Sequence, residues 1–253
     1  MRPIIQFSAA WRPPTDPVYI CYTRVRKYST TLIGENMKGD SIIVEAHHKK
    51  AASGIVPAIL PVLERSDQRF TVSVAGQSGS GKSETATAIA QALESHGIQS
   101  VIFQQDDYFV YPPRTNDAAR RADISWVGTQ EVRLDLMDEH ISAFTEGVSP
   151  IEKPLVDYEQ DKILSEFMDP GDARVGIADG TYTTLLRNLS CRVFIDRDYH
   201  ATRAHREKRR RDESELDPFI DRVLEIEHGI ISAHRKLANI IVNEDYSVTV
   251  VGD

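Results

Sequence analysis

Cysteine is nearly absent from this sequence: Cys21 and Cys191 are the only two. They lie far apart, supply no metal or redox spacing, and make a reducing compartment the natural setting. No apolar run approaches the ~20 residues that span a bilayer. Positive charge is in deficit, with 30 Lys and Arg against 38 Asp and Glu and a formal net charge of −8. That balance argues against general affinity for nucleic acid or an anionic membrane. Internal repeats and low-complexity tracts are also missing. What is present is ordinary for a soluble globular protein: 41% hydrophobic and 27% charged residues over 253 positions, enough for one domain or two small ones.

Residues 1–36 differ from the rest. Arg2, Arg12, Arg24, Arg26 and Lys27 face only Asp16 and Glu35, and prolines stand at 3, 13, 14 and 17. The stretch has neither the amphipathic pattern of a transit peptide nor the apolar core of a signal peptide. It reads as a disordered extension or as sequence upstream of a start at Met37. Residues 37–69 read as a strand and helix leading into the domain of 70–253. Within that lead-in, Pro57 and Pro61 are expected to interrupt or kink a helix over 47–65.

The most informative stretch is Gly76-Gln77-Ser78-Gly79-Ser80-Gly81-Lys82-Ser83, which fits G-x-x-x-x-G-K-[ST] at every fixed position. Phe70–Ala75 before it is a β-branched, apolar strand candidate, and Ala86, Ile89, Ala90 and Leu93 after it recur at helical spacing. Glycines at such a turn let backbone N–H groups wrap phosphate oxygens, and the helix N-terminus adds partial positive charge. Residues 76–83, with Glu84 behind them, are the candidate nucleotide site. Lys82 would reach the β- and γ-phosphates and Ser83 would hold Mg²⁺. Downstream, 101–103, 175–178, 193–195 and 240–242 are short apolar runs separated by helical patterns. This predicts a three-layer α/β/α domain with a mostly parallel, buried sheet.

Ligands of such sheets sit at the carboxyl ends of the strands. Asp106 follows the second strand about one βαβ unit beyond Gly76, where a carboxylate could take the proton of an attacking hydroxyl; for Asp106 or Asp107 the alternative is a turn cap. Asp179, at the end of a wholly apolar strand, could hold Mg²⁺, or simply form an Asp-Gly turn. Arg203, Arg206, Lys208, Arg209, Arg210 and Arg211 follow the strand at 193–195. With Arg203, Arg206 and Arg210 on one helical face, the cluster suits a lid over phosphates; a solvated charged face is the alternative.

Taken together, these residues resemble the phosphoribulokinase and uridine kinase family of P-loop kinases over roughly 70–250. The resemblance is carried by the glycine loop, Gln105-Asp106-Asp107-Tyr108-Phe109, Asp179-Gly180-Thr181-Tyr182 where the family usually has Glu-Gly, Phe194-Ile195-Asp196, Arg211-Asp212 and Ala238–Val242. It implies ATP- and Mg²⁺-dependent phosphorylation of a hydroxyl on a small molecule, with Asp106 as base and Lys82, Arg206 and Arg210 neutralising the transferred group. The acceptor would be nucleoside- or sugar-like. The family's aromatic-Asp-His-Pro segment is replaced by Trp126-Val127-Gly128-Thr129, which has neither the acid nor the histidine, and no histidine follows Pro154-Leu155-Val156-Asp157-Tyr158. Asp107, Tyr108, Asp123, Trp126, Arg133, Asp157 and Tyr158 are therefore the candidate acceptor residues. The implied setting is cytoplasmic, with no nucleic-acid or membrane partner, and a homo-oligomer is compatible with it. Competing readings are a nucleotide-binding regulatory protein, a degenerate kinase, or another sugar, pantothenate or glycerate kinase. A GTPase is disfavoured because no Asn-Lys-x-Asp segment occurs.

Overall fold

A run of β-branched and apolar residues that is buried on both faces can only become a central strand, and Phe70–Gly76 does so with every residue buried. The computed structural model of the chain describes residues 25–27, 42–197 and 217–251. In order, the elements are β1 (Val25–Lys27), α1 (Ala46–Glu64), β2 (Phe70–Gly76), α2 (Lys82–Ser95), β3 (Ser100–Gln104), α3 (Pro113–Ala122) and α4 (Leu134–Thr145). There follow β4 (Ile151–Asp157), β5 (Lys162–Asp169), β6 (Val175–Asp179), β7 (Cys191–Ile195), α5 (Pro218–Ile231), β8 (Ile240–Val242) and β9 (Val248–Val250). Most of the extension at 1–36, and Arg203, Arg206 and Arg210 of the expected lid, lie outside the described residues.

The main sheet has six strands in the order β3-β6-β2-β7-β8-β9, parallel except for β9, which returns antiparallel to β8. Alternate residues serve opposite layers. Ile177 and Val175 of β6 join a core with α1 and α2, while Ala178 joins the one containing Phe144 and Ile141 of α4. This is the three-layer α/β/α arrangement the sequence predicts. Because the chain goes from β2 to β3 on one side and β7 lies on the other, the strand order switches beside β2, and that is where a cleft opens.

Two elements differ from expectation. Helix α1 is continuous through Pro57 and Pro61. Both prolines face solvent, while Ala51, Ala52, Ile55, Val56, Ile59 and Leu63 are almost wholly buried against α2 and the sheet. Burying that stripe outweighs the backbone bonds the prolines remove, each worth up to ~3 kcal/mol. Second, β4 and β5 form an antiparallel hairpin, with β1 pairing parallel to β5 in a separate three-stranded sheet. No described helix is long and apolar enough to cross a membrane.

The sheet and α4 meet without a spare atom at Gly176: a Cβ there would lie 2.9 Å from the Phe144 ring. Gly176→Ala is expected to cost ~1–3 kcal/mol through overpacking. The melting temperature followed by circular dichroism should fall by several degrees; an unchanged melting curve would contradict this packing.

Candidate active site at the carboxyl edge of the sheet

The loop from Gly76 to Gly81 leaves β2 and enters α2 in backbone shapes that require glycine. Gly76 has φ 155° and Gly81, the N-cap of α2, has φ 89°. Side chains are also excluded by contact, since a Cβ on Gly76 would come within 2.9 Å of the Ile195 carbonyl and one on Gly81 within 2.8 Å of His48 Nε2. The loop is thus a cradle that presents its own backbone. Lys82 Nζ donates to the Gln77 carbonyl at 3.3 Å, Glu84 is buried in the first turn of α2, and Ser83 is partly exposed there. Asp179 ends β6 in register with Val74 on one side and Gln104 on the other, on the same edge of the sheet. A hydroxyl and a carboxylate are hard oxygen donors of the kind Mg²⁺ takes. Among the described residues no cluster of three or more His, Cys, Asp or Glu forms a metal cage, so such an ion would draw its other ligands from phosphate and water.

β3 gives way at Gln105–Tyr108 to a short 3₁₀ turn, which points consecutive carboxylates apart. Asp106 faces a cavity of about 220 Å³ also lined by Ser78 of the glycine loop, Tyr111, Asn116, Asp117, Arg120, Tyr158, Thr181, Tyr182 and Glu227. Asp107 turns the other way. It is buried, accepts hydrogen bonds from Lys153 Nζ (2.8 Å) and the Val156 amide (2.9 Å), and shares Lys153 with Glu166 at 2.7 Å. Burial raises the Asp107 carboxyl above its ordinary range, against the pull of Lys153.

The far wall of the cavity hangs on Glu131. Its fully buried carboxylate accepts from the Asn116 amide (2.6 Å), Arg120 Nε (2.5 Å) and the Gly128 backbone (2.7 Å). Asn116 in turn accepts from Trp126 Nε1 at 2.9 Å, and Trp126 packs on Tyr111 with ring centroids 5.4 Å apart. The second guanidinium edge of Arg120 approaches Glu227 at 3.6 Å, and Glu227 accepts from Ser78 Oγ at 2.9 Å. Burial raises the Glu227 carboxyl, with Arg120, Ser78 and Lys82 opposing. Gln77 of the loop donates to the Leu224 carbonyl at 3.1 Å and lies 3.2 Å from His228. Helix α5 is therefore docked directly on the glycine loop.

Of the acceptor candidates read from sequence, Tyr158 lines the cavity and Trp126 supports it from behind. The others are used elsewhere. Tyr108 is buried with its hydroxyl 2.9 Å from His140 Nδ1, and burial holds that imidazole neutral, lowering it to about 4. Arg133 is exposed at the start of α4, Asp123 accepts from Ser125, and Asp157 accepts from Gln160 at the β4–β5 turn. Asn116, Asp117, Arg120, Glu131 and Glu227 escaped the sequence reading. A signal existed for three of them: Asn116 and Arg120 stand four apart on one helix face, and Glu227 falls on the buried stripe of Val223, Leu224 and Ile231.

A sequence model of the Phosphoribulokinase / Uridine kinase family matches residues 71–214. The chain belongs to this family. Its relatives include the bifunctional alpha-galactosidase/sucrose kinase AgaSK of Mediterraneibacter gnavus, 31% identical over 194 residues that cover 72% of this chain and 21% of that protein. This chain thus spans about a fifth of that relative's length. The uridine kinase of Staphylococcus epidermidis strain RP62A is 27% identical over 199 residues, covering 74% of this chain and 93% of that one. Among solved structures, phosphoribulokinase from Rhodobacter spheroides shares the fold at TM-score 0.56 and 11% identity, covering 70% of this chain and 71% of its own. A possible uridine kinase from Bacillus stearothermophilus does so at 0.52 and 19%, covering 76% and 97%. The chain is a P-loop small-molecule kinase, in a family that implies use of ATP and Mg²⁺.

The buried triad beside Asp106 yields a test. Lys153→Met removes the cation that Asp107 shares with Glu166, at an expected cost of ~3–5 kcal/mol. A carboxyl raised above its unfolded value, as that of Asp107 is, destabilises the fold at pH above that value and ceases to do so once protonated. The deficit in urea denaturation should therefore be largest at neutral pH and shrink towards pH 5. A deficit independent of pH would contradict the ion triad.

Proposed function

We propose that this chain transfers the γ-phosphoryl group of ATP to a hydroxyl of a nucleoside- or sugar-like acceptor, with Asp106 as the base. The observation that carries the reading is that Asp106 and Ser78 line one cavity, so a molecule seated against the base also touches the glycine loop. In the transfer, the acceptor oxygen bonds to the γ-phosphorus as the bond from that phosphorus to the β-bridging oxygen breaks. The hydroxyl proton passes to Asp106, and ADP leaves. Backbone amides of Gly76–Ser83 bind and orient the phosphates, and Lys82, with Arg206 and Arg210 by family resemblance, neutralises the group in flight. Mg²⁺, held by Ser83 and Asp179, would offset charge on the phosphate oxygens. Most of the acceleration would come from holding hydroxyl and phosphorus in line inside a small cavity. Supply of ATP suits a cytoplasmic setting.

Asp106→Asn should retain ATP affinity in a fluorescent-nucleotide titration while kcat falls by roughly 10²–10⁴. Near-normal turnover in that variant would remove Asp106 as the base. Lys82→Ala should lose turnover and weaken ATP binding together.

A further inference from the structure

We infer that the cavity selects an uncharged saccharide ring, in preference to a nucleoside or an anionic acceptor; this rests on the kinase reading above and narrows it to one substrate class. The first ground is charge. Three carboxylates, Asp106, Asp117 and Glu227, line the cavity against one described cation, Arg120. Arg120 is already spent, held by Glu131 through Nε and by Glu227 at its other edge. An acceptor bearing a phosphate or carboxylate would bring like charge to these walls, where the described lining residues offer no second cation.

The second ground is hydrogen-bond polarity. An ionised carboxylate only accepts, and its bonds from hydroxyls are short and strong. Arg121 Nε donates to Asp117 Oδ2 at 2.7 Å, and Asp117 also lines the cavity. Carboxylate acceptors at Asp106 and Asp117 suit a ligand rich in O–H donors, which a sugar supplies around its whole ring. A pyrimidine instead needs an alternating set of donors and acceptors. The two amides that line the cavity have their oxygens engaged: Asn116 Oδ1 accepts from Trp126, and Gln105 Oε1 accepts from the Tyr182 amide at 2.7 Å.

The third ground is size and surface. About 220 Å³ falls below the ~300–1,000 Å³ of sites that bury drug-sized ligands, which suits one ring rather than a ribose with its base. Tyr111, backed by Trp126, and Phe109, under the Arg120 guanidinium at 6.0 Å, give apolar faces for the C–H side of such a ring.

The test uses the full chain saturated with a non-hydrolysable ATP analogue. Calorimetry would compare the single-ring sugars glucose and fructose with uridine, cytidine, ribulose 5-phosphate, glycerate and pantothenate, and ADP release from ATP would be followed over the same panel. A neutral sugar should bind at least about ten-fold more tightly than any nucleoside or anion. Its affinity should fall about ten-fold in Asp117→Asn, with the analogue's affinity unchanged, as expected for loss of one charged hydrogen bond. Tighter binding of a nucleoside or an anion, absence of sugar binding, or sugar affinity indifferent to Asp117→Asn would each overturn the inference. Sugar binding that meets these criteria while ADP release stays at the level of Lys82→Ala would support the inference and sink the kinase reading instead.

Discussion

Two buried carboxylates, Glu131 and Glu227, share the single guanidinium of Arg120. Removing charge from water is costly unless partners are supplied, and here each partner comes from a different part of the chain. Glu131 lies in the segment before α4, Arg120 on α3, Glu227 on α5, and the last bond runs to Ser78 in the glycine loop. The far wall of the cavity and the glycine loop are therefore joined by one continuous run of charged contacts. Displacing any member strands another buried charge, so the cavity between them has a defined width.

The same logic explains why adjacent aspartates have opposite fates. A 3₁₀ turn separates the directions of Asp106 and Asp107. Asp107 finds Lys153 and a backbone amide in the β4–β5 hairpin and ties that hairpin to the turn. Asp106 keeps the cavity. The turn that carries Asp106 is thus anchored by its neighbour's burial.

The central sheet was readable because its strands obey one rule, continuous apolar runs ended by polar turns, and because the glycine loop demands a strand before it and a helix after it. The hairpin was not readable: Lys153 and Glu166 occupy buried positions and break the apolar alternation that marks a strand. Their ion pairing, with Lys153 shared between Glu166 and Asp107, compensates their burial. For the acceptor wall, the family's acid was sought beside Trp126 and is absent there, whereas Glu131, five positions on, supplies a carboxylate that organises the wall from behind. Trp126, read from sequence as an acceptor residue, contacts Asn116 and Tyr111. Spacing along a sequence shows which residues are near one another; which way a side chain points depends on partners dozens of positions away.

Helix α1 lies wholly before residue 71, where the family match begins. Yet its buried stripe belongs to the same core as β2 and α2, and its His48 stands against the glycine that starts α2. The stretch matched by the family model and the folding unit of this protein therefore have different edges. A boundary drawn at residue 71 would cut through a single hydrophobic core and strip the phosphate cradle of its outer wall.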